Sequence, residues 1–215
     1  CLLTCLLIRI QEFRVICVLG DFMGGVKIKY IKLITYFFIF FHKHKSIMPT
    51  FPEQRISAGQ VYKTLRSKRY CLSNAPMQWG KTGTYLCVAK SMLSKGHVDK
   101  VIIFSGNREN DLKEQTILRA DNIAQVVWGP ALTSFVPPEG KILYLWDESH
   151  YCQSIGHSVD TFLSICGLRP GTSKQNGNYL LSVSATPFSE LHNIDSSFVV
   201  KAHVSDAYWS VKNMI

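Results

Sequence analysis

The sequence has no C-x-x-C pair, no internal repeat and no apolar run long enough to cross a bilayer. Its seven cysteines are odd in number and scattered, so neither a disulfide framework nor a structural zinc site is indicated. A reducing, intracellular compartment is the expectation. A membrane helix needs about twenty consecutive apolar residues, whereas the best candidate, Leu33–Phe41, spans nine, so no membrane partner is expected. Charged residues are scarce at 18% against 47% hydrophobic, which excludes a charge-rich disordered chain and leaves a globular one with enough core for a domain.

The formal charge of +9 is unevenly spread. Residues 1–47 hold seven Lys/Arg against Glu12 and Asp21, while residues 48–215 hold 17 against 13 Asp/Glu, so overall basicity is weak support for a polyanion partner. The stretch "IKYIKLITYFFIFFHKHKS" is dominated by Lys, Ile, Phe and Tyr without an amphipathic period. The chain opens on Cys1 and lacks the methionine start and small-residue end of a secretory signal. Residues 1–47 are therefore read as a doubtful hydrophobic and basic extension, disordered or not native coding sequence, with Met48 as the start. A peripheral hydrophobic extension and a membrane segment are the alternatives. Residues 48–215 are read as the folded domain.

From there, strands and helices alternate. Ser57–Arg69 reads as a surface helix, Tyr70–Ala75 as a strand, and Lys81–Lys95 as a helix stopped by Gly96. "KVIIFSG" is a strand apolar throughout, and Asn107–Arg119 follows as a helix with Leu112, Ile117 and Leu118 inward. "NIAQVVWG", "KILYLWDE", "YLLSVSAT" and "FVVKAHV" supply further strands, with a short helix over His157–Cys166 and an exposed basic loop containing Arg169 and Lys174. Apolar strands alternating with helices predict an α/β domain whose mainly parallel sheet is covered on both faces.

Two stretches at strand ends carry chemistry. "APMQWGKTGT" has the spacing of a phosphate loop, G-x-x-x-x-G-K-[ST], with Ala75 at its first position. Gly80 lets backbone N–H groups curl around phosphates, Lys81 reaches the terminal phosphates, and Thr82 offers a hydroxyl to Mg²⁺. A lysine-bearing turn is the simpler alternative. "ILYLWDESH" puts Asp147 and Glu148 at the C-terminal end of a buried strand, the edge where open α/β sheets bind ligands. Asp147 suits a metal and Glu148 a general base, and two acids in an exposed turn are the alternative.

In this order and on these elements, "APMQWGKT", "DESH" and "SATPF" resemble motifs I, II and III of superfamily 2 helicases and translocases of the D-E-x-H type. "FSGNREN" stands where motif Ia would. In that family the first motif commonly begins with alanine, which accommodates Ala75. The resemblance covers Arg55 to Phe188 and implies a three-layer RecA-like P-loop NTPase lobe. Such a lobe binds ATP and Mg²⁺ and couples hydrolysis to movement on, or unwinding of, DNA or RNA. It implies nucleotide contacts from Met77, Gln78, Trp79, Gly80, Lys81, Thr82 and Gly83, metal contacts from Thr82 and Asp147, and catalysis by Glu148 with Lys81 and Asp147. His150, Ser184 and Thr186 would couple the nucleotide to the nucleic acid. Gln60 could meet adenine, although a solvent-facing helix glutamine is the plainer reading. Asn107 and Arg108 could hold a nucleic-acid phosphate, or simply cap a helix. Of the tryptophans, Trp146 reads as core and Trp79 as the exposed candidate for base stacking.

The resemblance also calls for a second RecA-like lobe as partner. Only 29 residues follow Thr186, so a first lobe alone, truncated and weak in hydrolysis, is the expectation. A viral DNA-packaging terminase-type ATPase joins similar motifs. A non-catalytic fragment that binds nucleotide or nucleic acid is the third reading.

Overall fold

The computed structural model describes residues 4–10, 13–19, 51–77, 79–107, 109–150, 155–192 and 194–204. The chain divides into two units, residues 1–47 and 48–215. In the first, β1 (Thr4–Ile10) and β2 (Phe13–Leu19) form an antiparallel pair in register from Thr4↔Leu19 to Ile10↔Phe13. Sequence reading assigned no element there, yet Ile8, Ile10, Val15, Ile16 and Val18 are residues that favour strands. The apolar tract Leu33–Phe41 lies outside the described residues. Among the described residues, no helix is long and apolar enough to cross a membrane.

The second unit is built on a six-stranded, all-parallel sheet. Its strands are β3 (Tyr70–Asn74), β4 (Lys100–Ser105), β5 (Gln125–Trp128), β6 (Ile142–Asp147), β7 (Tyr179–Ser184) and β8 (Val199–Lys201), in the spatial order β5-β4-β6-β7-β3-β8. Helices α1 (Pro52–Lys68), α2 (Lys81–Ser94), α3 (Asn110–Ala120), α4 (Ser158–Ile165) and α5 (Phe188–Leu191) connect or flank them. The inner strands are buried on both sides because each has an apolar or small residue at nearly every position. Alternate residues then enter two cores. Cys71, Val101, Ile103, Leu143, Leu145 and Leu181 pack against α1 and α2, whereas Leu72, Phe104, Tyr144, Trp146 and Leu180 pack against α4. The result is the expected α/β class, consistent with a three-layer RecA-like fold.

Register positions the strand ends. Asn74 pairs with Ser184, and Asp147 with Val183, so the turns leaving β3, β6 and β7 share one edge of the sheet. Gly96, at φ +63°, follows α2 and bonds back to Leu93 O, as the glycine stop predicts.

Two readings of helices are corrected. Helix α1 starts at Pro52 rather than Ser57, with proline in its first turn, where a missing N–H costs nothing. Helix α3 does not turn Leu112, Ile117 and Leu118 inward; all three are exposed, and Thr116 and Ala120 are its buried residues. Small side chains let this short helix approach its neighbours closely, and the larger ones are left on the outside.

Candidate functional site

Gly80 stands just before α2 at φ +88°, a left-handed conformation that favours glycine. Added bulk there would collide first with the side-chain amide of Gln54, and a side chain at Gly83 would meet the same group. Gln54 is buried on α1. Its Nε2 donates to Trp79 O (3.3 Å) and Gly80 O (3.2 Å), and its Oε1 accepts from Phe51 N (3.2 Å). A glutamine 25 residues upstream thus ties the loop to the start of α1. The available signal was Pro52: with the helix begun there, Gln54 falls in its first turn, where Gln reaches back to the residue before the helix.

The loop and the acidic pair meet. Lys81, the first residue of α2, places Nζ 2.6 Å from Glu148 Oε1, across 67 positions of chain. The two side chains are 11% and 28% exposed, so the pair is shielded without being sealed from water. Glu148 itself sits at φ +49°, uncommon for a residue with a side chain. Its N–H donates to Asp147 Oδ1 (3.1 Å), and the next residue rejoins the sheet through Ser149 N to Val183 O (3.0 Å).

Asp147 continues the series Leu143, Leu145 on the α2 side of β6, where it accepts a 3.3 Å bond from the hydroxyl of Tyr85. Burial, reinforced by neighbouring Glu148, raises the Asp147 carboxyl from 3.8 to about 6, against the pull of Lys81 and Tyr85. Burial and Asp147 together push the Tyr85 hydroxyl up, keeping it protonated as a donor. Lys81, Thr82, Asn107, Asp147 and Glu148 line one cleft, with Leu112, Gln115, Thr116 and Arg119 of α3 and with Trp128.

Adjacent carboxylates facing one close lysine ask for more positive charge. Among the described residues no group of three or more His, Cys, Asp or Glu gathers to hold a metal by protein ligands alone. Magnesium does not need one, since it takes one or two carboxylates together with substrate phosphates and water. The donor set of Thr82 and Asp147 fits that pattern.

On the far side of Glu148, His150 Nδ1 lies 3.4 Å from Glu148 Oε2 and 3.0 Å from Ser184 Oγ. Ser184 Oγ also accepts from the backbone N–H of Thr186 (3.1 Å). The three residues read as a coupling set are therefore together, with Thr186 joined through its backbone while the residue faces solvent. Ser149, buried beside them, donates to Glu190 Oε1 on α5, a link that sequence reading missed.

Other assignments fare differently. Trp79 is not exposed: it is buried at 7% accessibility, because the loop folds back through Trp79 N to Pro76 O and holds the indole against the protein. Met77 is exposed, Gly83 lies in the first turn of α2, and Gln60 faces solvent on α1. Trp146 is core, stacked on Phe104 with ring centroids 5.7 Å apart. Asn107 lines the cleft, and its Oδ1 accepts from Glu109 N (3.0 Å) in the turn before α3; Glu109, not Asn107, is the cap residue of that helix. Gln78 and Arg108 lie outside the described residues. A scan against protein-family models matches none of them, and no curated protein matches the sequence.

Proposed function

We propose that residues 48–215 bind ATP with Mg²⁺ as the first RecA-like lobe of a nucleic-acid-dependent ATPase, a helicase or translocase. The observation that carries this reading is the 2.6 Å contact between Lys81 and Glu148, which brings the phosphate loop and the acidic turn into one cleft. Thr82 and Asp147 would hold the metal, which when bound offsets phosphate charge. Without nucleotide, Lys81 and Glu148 neutralise each other. A triphosphate entering the loop draws Lys81 to its terminal oxygens and leaves Glu148 free to take a proton from water. His150, between Glu148 and Ser184, carries the change in Glu148 toward Thr186. The nucleic-acid partner and the second lobe rest on the motif resemblance.

Binding is the first quantity to measure, because turnover depends on charge from the second lobe. Titration of the full chain with ATP and Mg²⁺ should give saturable binding. Lys81→Ala should weaken it by about a hundredfold, as expected for loss of a charge-assisted phosphate contact. Glu148→Gln should bind as well as the parent and, wherever nucleic acid stimulates hydrolysis, abolish that hydrolysis. Equal ATP affinity in the parent and Lys81→Ala would overturn the phosphate-loop assignment.

A further inference from the structure

Helix α3 forms a wall of the cleft that the motif reading left unassigned. Leu112, Gln115, Thr116 and Arg119 follow the i, i+3, i+4, i+7 spacing of a single helix face, and all four line the cleft that holds Lys81, Thr82, Asp147 and Glu148. At the end of this stripe, Arg119 Nη1 donates to Thr82 Oγ1 across 3.5 Å. Arg119 is exposed and forms no ion pair among the described residues, although two carboxylates share its cleft.

We propose that Arg119 is a phosphate ligand, supplied from within the same lobe, for the nucleotide bound at Lys81 and Thr82. The inference rests on the nucleotide reading above and adds to it a contact from outside the motifs. A guanidinium presents five N–H donors in a planar fork suited to phosphate oxygens. Among the described residues its one hydrogen bond goes to a hydroxyl, which leaves most of that capacity unused. Lys81 is neutralised by Glu148 in the nucleotide-free cleft. Among the described residues, Arg119 is then the cation in the cleft left to attract an incoming polyphosphate, and its bond to Thr82 keeps it beside the first turn of α2. Were it a substitute for the metal, it would pair with Asp147, and no such pair forms among the described residues.

The test is calorimetric titration of the full chain with ATP and Mg²⁺, comparing the parent with Arg119→Ala, Arg119→Lys and Lys63→Ala. The last removes a positive charge from the exposed surface of α1 and controls for net charge. Arg119→Ala should weaken binding about tenfold or more, the effect of losing hydrogen bonds to a charged group. Arg119→Lys should restore part of the loss, and Lys63→Ala should match the parent. Thermal melts should coincide, since Arg119 is exposed. If Arg119→Ala binds within twofold of the parent while Lys81→Ala does not bind, Arg119 is no ligand and the nucleotide site stands. If the parent itself binds no ATP, the site reading falls and this inference with it.

Discussion

The two faces of the central sheet are made of different material. On the side of α1 and α2 the core is mostly Val, Leu, Ile and Ala, with Met92, Tyr85 and Tyr179 among them. On the side of α4 it is strongly aromatic: Tyr70, Phe104, Tyr144, Trp146 and Phe162, with Phe135 and Phe198 packed against them. The groups that build the cleft belong to the aliphatic side. Lys81 and Thr82 come from α2, after a loop that Gln54 of α1 braces, and Asp147 follows Leu143 and Leu145 onto that face. Small branched side chains hold helices close to the sheet, and close approach sets a lysine against a glutamate 67 positions away. The aromatic face contributes bulk to stability and, among the described residues, carries buried polar atoms without a partner, such as the Tyr144 hydroxyl and Trp146 Nε1.

That division of labour is broken most forcefully at Phe162, which is fully buried and contacts Phe104, Phe135 and Tyr144. Phe162→Ala should cost about 3–5 kcal/mol in urea unfolding, the range for emptying an aromatic core site. Under conditions where the variant remains folded, its affinity for ATP and Mg²⁺ should stay within about twofold of the parent. Lys81→Ala should do the reverse, losing binding while stability changes by less than about 1 kcal/mol, because its ion pair is only partly shielded. A tenfold affinity loss in Phe162→Ala would mean that the faces are not independent.

The next effect lies within the cleft. Because the Asp147 carboxyl is raised to about 6 in the fold, the folded state favours its protonated form. The associated stability is present below about pH 4 and is lost as the pH rises through about 6, a change of at most about 3 kcal/mol. Asparagine does not ionise. In metal-free buffer Asp147→Asn should therefore be more stable than the parent at pH 7, by up to that amount, and the two should converge near pH 4. Unfolding curves at four pH values between 4 and 7 check this. A difference independent of pH would remove burial of the charge as the cause.

Sequence made some of this legible and left the rest dark for identifiable reasons. The strands β3, β4, β6 and β7 stood out because each is a continuous apolar run, and Lys81, Asp147 and Glu148 because each sits just past a strand or at its end. Such positions depend on local pattern. The orientation of α3 does not: Leu112, Ile117 and Leu118 share no single helix face, and packing selected Thr116 and Ala120 instead. Trp79 was read as exposed because loop position says nothing about how the loop folds back. Arg119 and Glu190 meet their partners over separations of 37 and 41 residues, a distance at which no periodicity operates.

The smallest predicted effect separates two glutamines on one helix. Gln54 is buried and bonded to the loop carbonyls of Trp79 and Gly80, whereas Gln60, for which an adenine contact was the lesser reading beside a solvent-facing one, faces solvent. Gln54→Ala removes two donors from partly buried carbonyls and one acceptor from Phe51 N–H, which should cost about 1–2 kcal/mol in stability. It should also weaken ATP binding severalfold, because the loop loses the brace that holds its shape beside Gly80. Gln60→Ala should leave both quantities within error, since exposed substitutions rarely exceed 0.5 kcal/mol. Paired unfolding and titration experiments decide between them. If Gln60→Ala proves the more damaging for ATP binding, the nucleotide reaches over α1 to the exposed side, and the brace at Gln54 is structural only.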